Sequence, residues 1–273
     1  MYYKKRMNML FFLKVIKMNK RIFFFDIDET IVYDKKISPR VINAIHNIQK
    51  KGDYCIIASG RPPKFIPDFI KKVGFDGYVL ANGAYVEFQQ KVIYENILNY
   101  DHLNELIQFF KDTNHQYVLF TKNQCYLNKD YTILYDLFNS IGMNVDEFVY
   151  DFNEEDIMKE TIKLEVWPND QKADQMIKKQ LTHFAWNQYS CSEMEVCSKS
   201  ISKASGIKKI IDLLNIKQEN TYCFGDGTND IEMFECIENS YAMGNASKDV
   251  QSKAKYVCPS VQEDGVAVIL ERL

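Results

Sequence analysis

The chain has 273 residues, 46% of them hydrophobic and 26% charged, a length that suits about two soluble globular domains. Its formal net charge of -3 gives no electrostatic basis for a nucleic-acid or anionic-membrane partner. The 7 cysteines, scattered without a CxxC pair, argue against a disulfide framework or a zinc site and for a reducing, cytoplasmic setting.

The opening "MYYKKRMNMLFFLKVIKMNK" is basic with a short apolar patch. Lys14 and Lys17 interrupt the patch, no small-residue cleavage site follows, and it is too short to span a bilayer. Met18 is the expected natural start, with residues 1–17 a disordered extension. "RIFFF" predicts a buried strand that runs directly into Asp26-Ile27-Asp28. "SPRVINAIHNIQKKG" predicts a helix with Ser38 as N-cap, Pro39 at its first position and Gly52 past its end. "DYCIIASG" predicts a second buried strand, "PPKFIPDFIKKVG" a Pro-opened helix and "GYVLANG" a third strand. Continuous apolar strands separated by helices imply a parallel sheet covered on both faces.

Between about Gly83 and Val196 the pattern changes. "AYVEF", "QYVLFTKNQCYLN", "TIKLEVW" and "MEVC" alternate as antiparallel strands with one buried face. The helices "YDHLNELIQFFKDTN" and "NDQKADQMIKKQLTHF" lie among them. The first rhythm then returns. "SKASGIKKIIDLLN" reads as helix, "TYCFGDG" as strand, "NDIEMFECI" as helix and "SYAMGN" as strand. "ASKDVQSKA", "KYVCPS" and "DGVAVILERL" follow as helix, strand and helix. The expected class is α/β: a doubly wound, Rossmann-like parallel-sheet core from residues 18–82 and 197–273, with an α+β module at 83–196 inserted into it. No further segment is long and apolar enough to be transmembrane.

Four polar signals fall at the carboxyl ends of expected core strands, where open parallel sheets hold their ligands. They are the Asp26/Asp28 pair, Ser59 in "ASGRP", Lys203 opening a helix, and "GDGTND" with Asp226, Asn229 and Asp230. Each alone has a plain structural explanation as a turn, a cap or a solvated charge. Their order, and their common position at strand-to-loop junctions, point to one site. The isolated histidines His46, His102, His115 and His183 read as surface or packing residues.

In "FFFDIDETIV", "ASGRP", "SISKASGI" and "FGDGTNDIEMF", backed by "YAMGNASKDVQSKAKYV" and "EDGVAVIL", the chain resembles the haloacid dehalogenase-like hydrolase superfamily and, within it, the Cof-like phosphatases. The resemblance implies hydrolysis of small phosphorylated metabolites, sugar phosphates foremost, followed by flavin mononucleotide and pyridoxal phosphate. Asp26 would attack phosphorus and carry an aspartyl-phosphate. Asp28 would protonate the leaving oxygen and then deprotonate water. Lys203 would balance the charge of Asp26 and phosphate. The implied metal ligands are Asp26, the Ile27-Asp28 segment through main-chain carbonyl, and Asp226. The implied phosphate contacts are Ile27, Ser59, Gly60, Lys203 and Asn229, with Asp230 orienting metal or lysine. Carboxylates crowded around a phosphoryl dianion require a cation, and oxygen-only ligands favour Mg²⁺ over zinc.

The family usually has glycine where this chain has Glu29. The insert is expected to be a mobile cap whose Trp167, Trp186 and Tyr189 stack on a substrate ring or, more in keeping with their spacing, form its own core. No arginine lies between Arg61 and Arg272, which argues against a cap that clamps a second phosphate. Arg61 itself either reaches substrate or braces its loop. A phosphotransferase or mutase with the same nucleophile, or a non-catalytic phosphometabolite-binding protein, are the alternatives. A monomer or weak homo-oligomer is expected, with neither nucleic acid nor membrane as partner.

Overall fold

A computed structural model describes residues 20–140, 144–168, 170–188 and 193–273. The expected N-terminal extension at 1–17 and Tyr189 lie outside the described residues. Strand β1 (Ile22–Phe25) buries every side chain. Helix α1 (Pro39–Lys50) starts as expected on Ser38, whose hydroxyl accepts the N–H of Val41 and so satisfies one orphan donor of the first turn. Strand β2 (Tyr54–Ala58) follows. The Pro-opened helix expected next is instead broken into a 3-10 turn at Pro63–Phe65 and a single short turn of helix, α2 (Asp68–Lys71). Pro67 supplies no N–H and holds Ile66 extended, which is what a proline imposes on its predecessor.

Strand β3 (Gly77–Leu80) leads through a turn at Ala81–Gly83 into β4 (Tyr85–Phe88) and β5 (Lys91–Glu95). Three successive residues there have positive φ, Ala81 at 49°, Asn82 at 52° and Gly83 at 99°. A Cβ on Gly83 would sit 2.2 Å from the Ser202 carbonyl oxygen, so only glycine lets the two backbones meet. The boundary expected at residue 83 needs correction. Strands β4 and β5, read as part of the insert, extend the larger sheet as an antiparallel hairpin. Alternation reports that one face of a strand is exposed, and an edge hairpin has such a face too.

The inserted unit contains α3 (Tyr100–Asp112), β6 (Gln116–Phe120), β7 (Cys125–Leu127), α4 (Thr132–Ser140), α5 (Glu154–Met158), β8 (Lys163–Trp167), α6 (Gln171–Gln180), β9 (Phe184–Gln188) and β10 (Met194–Ser198). Its strands form one antiparallel sheet in the order β7-β6-β8-β10-β9. Tyr117, Leu119, Leu164, Val166, Met194 and Val196 pack against Leu103, Ile107 and Ile177 of the helices. The intervening residues Lys163, Glu165 and Glu195 therefore emerge on the opposite face.

The chain returns to the core through α7 (Lys203–Leu214), β11 (Thr221–Gly225), α8 (Ile231–Cys236), β12 (Asn239–Ala242), α9 (Lys248–Gln251), β13 (Tyr256–Val257) and α10 (Gly265–Leu270). The large sheet runs β13-β12-β11-β1-β2-β3-β4-β5, parallel from β13 to β3. Phe23 and Phe25 enter a core with α1 and α10, whereas Ile22 and Phe24 enter one with α7 and α8. Both faces are covered, as the continuous apolar run required. Among the described residues no helix is long and apolar enough to cross a membrane.

Candidate active site

Strands β1 and β11 are neighbours, and the chain leaves them in opposite directions. This is the switch point at which an open α/β sheet leaves a crevice. Asp26 follows β1 and Asp226 follows β11, so sheet topology alone brings them together. Lys203, the first residue of α7, is fully buried. Its ammonium donates to Asp26 Oδ1 at 2.5 Å and to Asp230 Oδ1 at 2.6 Å. The other oxygen of Asp230 accepts the N–H groups of Asp226 at 3.0 Å and Gly227 at 2.9 Å. Asp230 thus ties the "GDGTND" loop to the lysine. Thr30 donates from its hydroxyl to Asp226 Oδ1 at 2.9 Å.

Oxygens of Asp26, Asp226 and Asp230 lie within 4.8 Å of one another. Burial raises the Asp26 carboxyl well above its ordinary range; Lys203 opposes this, and Asp230, Asp226 and Asp28 add to it. Burial and Asp230 push Asp226 up to about 6 against the Thr30 hydrogen bond and Lys203. Burial alone would depress the Lys203 ammonium, but Asp230 and Asp26 hold it above its usual value. One ammonium faces three carboxylates. An oxygen-only donor set with this surplus of negative charge fits a hard divalent cation.

The remaining expected residues fall around this centre. Arg61 grips Asp28 with two bonds of 2.8 Å and donates to the Phe65 carbonyl at 3.3 Å. Here it braces the loop. The carbonyl of Ile27 accepts the N–H groups of Ile31 at 3.0 Å and Val32 at 2.9 Å, so it is engaged in the turn and not turned to a ligand. Glu29 has φ 56°, the left-handed conformation that glycine adopts without strain. Ser59, buried, accepts the N–H of Arg61 at 3.2 Å. With Gly60 and Asn229 it lines a cavity of about 490 Å³ that also reaches Asp26, Asp28 and Asp226.

The insert forms the far wall of this cavity through Phe120, Phe138, Lys163, Glu165, Glu193 and Glu195. Lys163 is only 2% exposed. It donates to the Gly60 carbonyl at 3.0 Å and to Glu195, and forms an ion pair with Glu165 at 2.7 Å. Burial would lower this ammonium, but Glu165 and Glu195 raise it. Burial likewise pushes Glu165 up to about 7, against the attraction of Lys163. Phe65 of the core loop packs on Phe120 and Phe148 of the insert, and Lys64 pairs with Glu147 at 3.2 Å. Neither Trp167 nor Trp186 lines the cavity: the first packs against the insert's core and the second lies exposed under Lys178.

Thr30, Asn82, Lys163, Glu165 and Glu195 escaped the sequence reading. Thr30 stands beside the aspartate pair in "DIDET", which was a usable signal. The charges of "TIKLEVW" and "MEVC" look like a solvated strand face until a second domain is placed against that face.

Residues 23–270 match the haloacid dehalogenase-like hydrolase family. The chain belongs to that family. Among its curated relatives, YkrA of Bacillus subtilis (strain 168) is 29% identical over 259 residues, covering 94% of this chain and 98% of the relative. YitU of the same organism, named 5-amino-6-(5-phospho-D-ribitylamino)uracil phosphatase, is 25% identical over 265 residues, 90% of this chain and 94% of the relative. A solved structure described as a sugar phosphatase of subclass IIB of the superfamily is 26% identical. It superposes with a TM-score of 0.81 over 93% of this chain and 98% of its own. The fold is thus shared with that solved structure along nearly the whole length of both chains.

Proposed function

We propose that this hydrolase is a Mg²⁺-dependent phosphatase of small, singly phosphorylated metabolites with hydroxylated leaving groups, sugar phosphates foremost. The reading is carried by one observation: Asp26, Lys203, Asp226 and Asp230, from three distant segments, meet beside a cavity roofed by the insert. Both the sugar phosphatase and YitU bear names that denote phosphate on a hydroxylated carbon chain. Among the described residues lining the cavity the basic side chains are Arg61 and Lys163, and the Lys163 charge is already paired with Glu165 and Glu195. That supports a single phosphate on the substrate and favours hydrolysis over a mutase, which must hold a bisphosphate.

In this mechanism an Asp26 carboxylate oxygen attacks phosphorus in line, and the bond from phosphorus to the leaving oxygen breaks. Asp28 protonates that oxygen and later takes a proton from the water that cleaves the aspartyl-phosphate. Arg61 holds both Asp28 oxygens and must release one of them for Asp28 to pass its proton. Lys203 balances charge on Asp26 and the transferring group, while Ser59, Gly60 and Asn229 contact phosphate oxygens. Asp26, the Asp28 main-chain carbonyl and Asp226 would hold Mg²⁺, with Asp230 orienting Lys203 and the loop. When bound, Mg²⁺ polarises the phosphoryl oxygens and offsets the surplus carboxylate charge.

The test is Mg²⁺-dependent phosphate release from a panel of phosphomonoesters, run with wild type and Asp26→Asn. Release by wild type and its loss in the folded variant are expected. Transfer to an acceptor without release points to the phosphotransferase, and a near-normal Asp26→Asn rate excludes the nucleophile.

A further inference from the structure

Asn82 lies in the left-handed turn after β3, is 3% exposed, and bridges the two domains. Its Nδ2 donates to Glu195 Oε2 of the insert at 2.9 Å, while its Oδ1 accepts Asn229 Nδ2 of the "GDGTND" loop at 3.2 Å. The other Glu195 oxygen receives the buried Lys163 ammonium, which also holds the Gly60 carbonyl. A carboxylate paired with an ammonium only accepts hydrogen bonds. The NH₂ end of Asn82 must therefore face Glu195, and its oxygen must face Asn229. Asn229 in turn presents its NH₂ group toward Asn82, and the second N–H of that group has no partner among the described residues.

We infer that Glu195 of the insert, acting through Asn82, sets the direction of the Asn229 amide, so that docking of the insert aims an N–H donor at the substrate phosphate. Asn82 and Glu195 are positioning residues here; neither touches the reacting atoms. The inference rests on the reading of Asn229 as a phosphate contact. It makes the polarity of a hydrogen-bond chain, and not merely its packing, part of the phosphate site. A pre-aimed donor acts without reorganisation, which is why its direction matters for rate.

Polarity can be inverted and restored without changing shape. In Glu195→Gln the amide carbonyl stays on Lys163 and the NH₂ group faces Asn82. Asn82 then turns its oxygen to Gln and its NH₂ to Asn229, whose amide is reversed. In Asn82→Asp alone, two carboxylates face each other. In the double variant, Asp accepts from Gln on one side and from the Asn229 NH₂ on the other, so the original direction returns. Asp also tolerates positive φ better than most residues.

The experiment measures kcat, KM and the inhibition constant of inorganic phosphate with Mg²⁺ present. Each single variant is expected to lose about a hundredfold in kcat/KM, the cost of withdrawing one aimed donor, and to bind phosphate more weakly. Glu195→Gln/Asn82→Asp should recover both quantities to within about fivefold of wild type. A double variant as poor as the product of the singles, or singles with wild-type kinetics, overturns the inference. Should a single variant fail to fold, recovery of fold and activity in the double supports it, and failure of the double overturns it. Asn229→Ala separates the levels: wild-type activity there removes the phosphate contact itself, whereas loss there without recovery in the double removes only the relay.

Discussion

Replacing Lys203 by methionine removes the ammonium and keeps most of the volume. The Lys203 side chain is 0% exposed, with its nitrogen 2.5 Å from Asp26 Oδ1 and 2.6 Å from Asp230 Oδ1. With charge centres about 4 Å apart and an effective dielectric near 20, each pair is worth roughly 4 kcal/mol before desolvation. Burying the ammonium offsets several kcal/mol of that, and removing one partner of a buried ionic group costs about 3–5 kcal/mol. The loss must depend on pH. Without lysine, Asp26 and Asp230 face one another in a buried site, and a proton relieves the repulsion. The folded-state pKa of Asp26, already raised by burial, then rises further above its unfolded value. A raised carboxyl favours the fold below its unfolded pKa, and that contribution disappears as pH climbs through the folded pKa. Urea unfolding in EDTA at about pH 5 and about pH 8 measures this. The variant should lose about 3 kcal/mol or more at the higher pH and clearly less at the lower. Phosphate release should fall by about a thousandfold. Equal losses at both pH values, or a loss below about 1 kcal/mol at the higher one, would refute Lys203 as the buried counter-charge.

Glu29→Gly should be neutral or raise stability by up to about 1 kcal/mol, because relief of the strained left-handed residue is partly offset by the freedom glycine gains when unfolded. Thermal unfolding checks this, with phosphate release expected within about twofold of wild type. Asp226, raised to about 6, should make metal stabilisation grow with pH. Its protonated form stabilises the metal-free fold below its unfolded value near 3.8, and that contribution is lost as pH rises through about 6. The shift in unfolding temperature between Mg²⁺ and EDTA should therefore increase across that pH. Asp226→Asn should abolish both the shift and its pH dependence; an unchanged shift removes Asp226 as a ligand.

The core-domain half of the candidate site was legible because parallel sheets impose a simple geometry. Successive strands point the same way, so residues just past their carboxyl ends share one edge of the sheet. Asp26, Ser59 and Asp226 could be grouped from strand order before any distance was known, and Lys203 joined them as the opening residue of a helix. The insert was legible as antiparallel, from its alternation, but its docking face was not. Lys163 lies on a strand whose charged side normally faces water, yet here it is buried against Gly60. Arg61 was open between two roles, and nothing local to it announced its two bonds to Asp28.

Local sequence determined the elements themselves, since apolar runs, alternation, Ser38 and Pro39 act within a few residues of where they stand. It also marked the junctions whose carboxylates gather in the candidate site, because carboxylates at the ends of buried strands have little structural reason to be there. Only the tertiary structure decided that the hairpin β4–β5 belongs to the large sheet, that Thr30 holds Asp226 across 196 residues, and that Lys163 reaches Gly60 across 103. The physical reason is that periodicity records which side of a strand is dry, whereas partner choice is settled by contacts between surfaces that the chain brings together only when it closes.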